Sequence, residues 1–215
     1  MAACLAAFGE AAVPHVPPLL RAPQPVLRVI AALVAADLAH DDLVAPLASR
    51  LWDEVPAVRN AAMIALEAAR ELPAMLLLRQ DLTATLDDPS SPAKWRAKAA
   101  WTLGQLRDQA AAPLLVEQLG AEAEVAKIAR EALVLLVGRD LGRFRLRWRR
   151  FLARHGAESR REWLAAALDQ PSADARMRVV EELILLTGEG FERRHAAATL
   201  AGARELAASY RGLER

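Results

Sequence analysis

Leu47-Ala-Ser-Arg-Leu-Trp-Asp-Glu-Val-Pro-Ala-Val-Arg59-Asn-Ala-Ala-Met-Ile-Ala-Leu66 decides the fold. An apolar helix ends at a turn holding Asp53 and Pro56, and a second helix then opens with a basic residue and continues through paired small residues. The same order returns in Leu82-Thr-Ala-Thr-Leu-Asp-Asp-Pro89, followed by Trp95-Arg96-Ala-Lys-Ala-Ala-Trp-Thr-Leu103-Gly104. A unit that recurs at this period is a helical pair that buries its apolar face against its neighbours.

Three further copies extend the pattern. The first reads Val13-Pro-His-Val-Pro-Pro-Leu-Leu and then Pro25-Val-Leu-Arg28-Val-Ile-Ala-Ala. The fourth reads Ala112-Pro-Leu-Leu-Val-Glu-Gln-Leu and then Val125-Ala-Lys127-Ile-Ala-Arg-Glu-Ala-Leu133. The fifth runs from Trp163 through Asp169 to Leu183, with its register open between Arg176 and Arg178. Steps of 31, 37 and 31 residues join Arg28, Arg59, Arg96 and Lys127, which are expected to hold one structural place. The longer step to the fifth pair signals an insertion.

Composition agrees with an all-α chain. Only five Thr and one Tyr occur in 215 residues, while Ala, Leu, Arg and Glu, which lose little on entering a helix, dominate. Charged residues interrupt every apolar run well short of the roughly 20 residues a membrane span needs. No secretory leader is visible either, so a soluble, cytoplasmic protein without membrane association is expected. The single cysteine, Cys4, excludes an internal disulfide framework and a Cys-based structural zinc site.

The five tandem units resemble HEAT repeats, especially the short bacterial kind also found in phycobilisome lyases, over about residues 5–188. The resemblance implies a right-handed α-solenoid of about five hairpins. Four pairs are expected in residues 1–137, an Arg-rich helical insert in 138–158, a fifth pair in 159–188 and a C-terminal capping helix in 189–215. It also implies that the recurring Arg ties to turn aspartates of adjacent repeats, with Asp53, Asp87 and Asp169 as partners.

Function by this resemblance is non-catalytic protein binding on the concave surface, with Asn60, Met63, Glu67, Arg70, Trp95, Lys127 and Arg130 as candidate contacts. Enzymatic alternatives of the bilin-lyase or DNA-glycosylase kind rest on fold alone, which does not determine chemistry. His15, His40, His155 and His195 have neither zinc-hydrolase spacing nor a nucleophile pattern, and no Gly-rich phosphate loop occurs. No cofactor or metal is therefore expected. The Asp41-Asp42 and Asp87-Asp88 pairs lie at helix boundaries, where Asp caps backbone N–H groups.

The segment Gly138-Arg-Asp-Leu-Gly-Arg-Phe-Arg-Leu-Arg-Trp-Arg-Arg-Phe-Leu-Ala-Arg-His-Gly156 is the most distinctive, with nine Arg between residues 139 and 161. Arg145, Arg147, Arg149 and Arg150 are candidate ligands for nucleic acid or another polyanion. Against that, Leu141, Phe144, Trp148 and Phe151 or Leu152 recur at helical spacing and are expected to form a buried stripe. Trp52, Trp95, Trp101 and Trp163 are expected to pack between pairs, with Trp95 the one whose ring edge could reach a groove. Gly104, Gly120, Gly138 and Gly188 are expected to end helices. The N-terminus is expected to begin mid-repeat, with Leu5, Phe8 and Val13 forming an exposed apolar edge open to self-association. Leu200, Ala203, Leu206 or Ala207 and Tyr210 make the apolar face of the last helix.

Overall fold

The computed structural model describes residues 9–188 and 196–212. Twelve α-helices and two short 3-10 helices make up its regular structure, and no strand occurs among the described residues. The chain divides into two compact units, Met1–Asp88 and Pro89–Arg215.

The first unit begins with a 3-10 helix, Gly9–His15, followed by α1 Val16–Leu20, α2 Pro25–Leu38, α3 Asp41–Arg50, α4 Pro56–Ala68 and α5 Pro73–Asp87. Proline opens α2, α4 and α5, where its missing N–H would be unpaired in any case and its fixed φ suits a first turn. Within the unit α1 packs on α2 and α3 on α4, while α2 also packs on α4 and α3 on α1 and α5. First and second helices thus form separate layers. Ala31, Ala32 and Ala35 on α2 and Ala61, Ala62 and Ala65 on α4 are buried, and their small side chains let helix axes approach closely.

The second unit holds α6 Ala93–Gln105, a 3-10 turn Gln109–Ala111, α7 Ala112–Gln118, α8 Ala123–Val137, α9 Arg145–His155, α10 Arg160–Ala167, α11 Ala173–Thr187 and α12 Leu200–Gly212. Here α6 and α7 pack on α8, α10 packs on α11, and α9 docks on α7. Ser159 and Glu162 form a reciprocal capping box at the start of α10, satisfying two N–H groups that a helix leaves unpaired. Helix α12 lies on α10, burying Ala203, Leu206, Ala207 and Tyr210 in a cluster with Leu164, Val180 and Leu183.

Several expectations need correction. Gly138 and Gly188 do end α8 and α11 in the left-handed region, at φ of 74° and 70°. Gly104 instead lies inside α6, where an added β-carbon would stand 2.6 Å from that of Ala132 on α8. It is a close-approach glycine. Gly120, at ordinary φ, makes room for the Arg145 guanidinium. Phe144 is 56% exposed, because it is the extended N-cap of α9 and stands outside the helical stripe. Only Trp148 of that stripe is fully buried, its Nε1 donating to Gly142 O at 2.7 Å, while Leu141, Phe151 and Leu152 are half-buried.

Trp163 is buried edge-on to Phe151, whereas Trp52 is exposed and Trp101 half-buried. Val13 is buried against its own unit and adds nothing to an exposed edge, since the first 3-10 helix packs on α1 and α2. Leu5 and Phe8, like His195, lie outside the described residues. Asp41 accepts the Ala74 N–H at 2.8 Å, so it caps α5, and its own helix is capped by His40 Nδ1. Asp87 is the last residue of α5 and Asp88 its C-cap.

Candidate functional site

One side chain organises the second helices. Arg28, Arg59, Arg96 and Arg176 are each the fourth residue of α2, α4, α6 and α11. Arg28 Nη1 donates to the carbonyls of Ala22 and Pro23, Arg59 Nη1 to those of Asp53 and Glu54, and Arg176 Nη1 to those of Gln170 and Pro171. The acceptors always stand six and five residues before the arginine. A planar, permanently charged guanidinium is suited to holding a turn in this way.

The other guanidinium nitrogens reach onward. Arg28 Nη2 donates to Asp53 Oδ1 at 2.8 Å, Arg96 pairs with Glu122 and Gln118, and Arg176 bonds the carbonyls of Ala197 and Ala198. Burial pushes the Asp53 carboxyl up, but the Arg28 hydrogen bond, the Val55 N–H and the charges of Arg28 and Arg50 outweigh it and hold it below its ordinary value. The register of the last pair is therefore that of Arg176. Asp169 pairs with Arg204 at the surface and takes no part in the clamp.

Helix α8 breaks the series. Its fourth residue is Ala126, and Lys127 falls one position later, on the exposed face. Lys127 is consequently no counterpart of the arginines, although the spacing of 31 from Arg96 suggested it. Ala126 lines an open cleft of about 550 Å³, floored by Leu119, Ala123 and Val134 and rimmed by Lys127, Arg130, Glu131, Asp140 and Arg143. Ala126, at the clamp position of α8, thus opens onto this cleft, and Asp140 and Arg143 from the loop before α9 line its far wall.

Arg130 and Asp140 form a two-pronged ion pair across the rim, and Asp140 also accepts the Gly142 N–H at 2.8 Å. The Arg130 hydrogen bonds hold the Asp140 carboxyl below its ordinary range. A second cleft of about 350 Å³ shares Glu131, Val134 and Asp140 and runs on to Arg178, Val179 and Glu182 of α11. Glu182 is fixed by Arg107 and Arg160, whose bonds and charges override the upward push of burial. The two clefts adjoin at the shared Glu131, Val134 and Asp140, and the one of about 550 Å³ forms a groove along α8.

Of the expected contacts, Lys127 and Arg130 come together on this groove. Trp95 is 54% exposed on α6 with the Lys98 ammonium 5.2 Å from its ring centre, and it lines neither cleft. Asn60, Glu67 and Arg70 are exposed and Met63 half-buried on α4 or just beyond it, with Arg70 paired to Glu67 and Glu71. Asp140, Arg143 and Glu131 were not foreseen. In the Arg-rich helix, Arg149 makes two bonds to Glu117, and Arg145 lies 3.6 Å from the same carboxylate. Arg147 and Arg150 face solvent.

Among the described residues, no three His, Cys, Asp or Glu side chains group to hold a metal ion, and no helix is long and apolar enough to cross a membrane. No known protein-family model matches the chain, and no curated protein matches it as a relative.

Proposed function

We propose that this chain is a non-catalytic scaffold that binds another protein, built as a HEAT-like α-solenoid whose second helices carry the binding face. The groove beside α8 is the observation that supports it. An apolar floor ringed by a few charged groups suits a segment of a partner protein, because apolar contact supplies affinity and the charged rim supplies orientation. Lys127, Arg143 and Glu131 offer charge at the rim. The Arg130–Asp140 pair braces the far wall so that little ordering remains to be done on binding.

Site-specific photo-crosslinking in the native host tests this reading. A photoreactive residue at Lys127 or Val134 is expected to give one discrete protein adduct, and the same residue at exposed Ala45 on α3 to give none. Equal labelling from all three positions, or none from the groove, would sink it.

A second reading, polyanion binding by α9, is favoured by Arg147 and Arg150, which have no carboxylate partner among the described residues. Arg145 and Arg149 are already committed to Glu117.

A further inference from the structure

We propose that the outward face of α9, with the turn before it, docks on an anionic lipid surface; this deepens the polyanion reading by naming the anion and does not depend on the groove.

Trp148 fixes which side of α9 faces inward, since it is fully buried and bonded to Gly142. At about 100° per residue, Leu146, Arg147, Arg150 and Arg154 then share the outward side. All four are exposed, and Arg143 and Phe144 stand exposed at the entry to the helix. Arg143, Arg147, Arg150 and Arg154 have no carboxylate partner among the described residues. The nearby acids are taken, Glu117 by Arg149 and Arg145, and Asp140 by Arg130 and the Gly142 N–H. Three unopposed cations on one face, with Arg143 at its entry, call for an anionic partner.

Phe144 and Leu146 decide which anion. They are 56% and 58% exposed, set among the arginines. A polyanion in water has no use for Leu146. The Arg143 and Arg147 guanidinium carbons lie 5.1 and 6.0 Å from the centre of the Phe144 ring, so cation and apolar ring are presented together. Two apolar side chains within a ring of arginines match the boundary of a bilayer, where apolar groups enter the acyl edge while guanidinium groups remain among lipid phosphates. The contact is interfacial and needs no spanning helix.

Co-sedimentation of the full chain with phosphatidylcholine vesicles, with or without phosphatidylserine, tests the proposal. Binding is expected to require phosphatidylserine and to weaken as salt rises. Each arginine near an anionic surface is worth roughly fivefold, so Arg147→Gln with Arg150→Gln is expected to weaken binding roughly 25-fold. Phe144→Ser with Leu146→Ser is expected to weaken it about tenfold through lost apolar burial. All four side chains are exposed, and unchanged helicity and melting of the variants exclude misfolding as the cause. Binding equal on phosphatidylcholine alone, or indifferent to either double variant, overturns the lipid assignment. A single-stranded oligonucleotide separates the two levels of the argument. If the oligonucleotide binds through Arg147 and Arg150 while the vesicles do not, the polyanion reading stands and the lipid assignment falls; if neither binds, both fall.

Discussion

Asp53 Oδ1 accepts the Arg28 guanidinium at 2.8 Å and the Val55 N–H at 3.1 Å, so one buried carboxylate oxygen joins the start of α2 to the turn that begins α4. Arg59, the fourth residue of α4, closes the same turn through the Asp53 carbonyl at 2.8 Å. Side chain and backbone of one residue thus carry two successive clamps. Asp53→Ala is expected to destabilise the fold by about 3 kcal/mol, because it leaves a buried guanidinium without its hydrogen-bonded carboxylate and with only the exposed Glu54 at 3.6 Å. In a double-mutant cycle with Arg28→Met, the second substitution is expected to cost clearly less than it does alone. Additive losses in thermal unfolding would show that the pair is not coupled.

Acid stability follows from the same carboxylates. Asp53 and Glu182 are held below their ordinary values of 3.8 and 4.5. The unfolded chain therefore takes up protons at higher pH than the folded one does. The stabilisation is complete above those ordinary values and is lost as the pH falls through the lower folded values. The melting temperature is expected to hold from neutrality to about pH 5 and to decline below it. Asp53→Asn combined with Glu182→Gln should lower the neutral melting temperature and flatten the acid decline; an equally steep decline in that variant places the responsible groups elsewhere.

At Gly104 two effects compete. Alanine gains about 1 kcal/mol of helix propensity over glycine. A β-carbon there would stand 2.6 Å from the Ala132 β-carbon and 2.9 Å from its α-carbon, so α6 and α8 must part. Overpacking of this kind costs about 1 to 3 kcal/mol, and Gly104→Ala is expected to be destabilising on balance by about 1 kcal/mol. Gly104→Val should cost more, since it adds more bulk with a smaller propensity gain. A chemical-denaturation midpoint at or above that of the parent for Gly104→Ala would mean that the helices separate freely.

Much of the helical pairing was legible in the sequence because Pro25 and Pro56 mark helix starts and paired alanines mark the faces that approach. The recurrence of Arg28, Arg59 and Arg96 was legible, and so was the tie of Arg28 to the turn aspartate Asp53, whereas Arg59 bonds the carbonyls of Asp53 and Glu54 and Arg96 pairs with Glu122 and Gln118. It failed at Lys127, where a repeated spacing and a matching charge concealed a shift of one residue; the first helical residue of α8 sets the register, and that start carries no proline. Phe144 was misplaced by continuing a helical period past the N-cap of α9, where the backbone is extended. Gly104 was misread because a helix stop and a close helix approach both select glycine. The groove itself had no local signal, since Asp140 and Arg143 come from a loop whose position against α8 is set by the docking of Trp148 and α9.

Ala126→Arg tests the link between the interrupted clamp and the groove. In α2, α4 and α11 the fourth-position arginine bonds the carbonyls six and five residues earlier, which for α8 are those of Gly120 and Ala121. The new side chain would begin on the cleft wall it shares with Leu119 and Ala123, with those two carbonyls as its expected acceptors. Its bonds should offset most of the cost of ordering a long side chain, so the change in folding stability is expected to stay within about 1 kcal/mol. Partner binding should respond differently: with the cleft occupied, photo-crosslinking from Val134 is expected to fall at least about tenfold, the equivalent of about 1.4 kcal/mol. Lys127→Glu, which leaves the cleft open and reverses charge at its rim, is expected to slow association and alter its salt dependence more than it alters residence time. If Ala126→Arg folds as the parent does and its crosslinked adduct is undiminished, the partner does not enter this groove. If the variant is strongly destabilised, the position beside Ala126 is not an empty clamp seat.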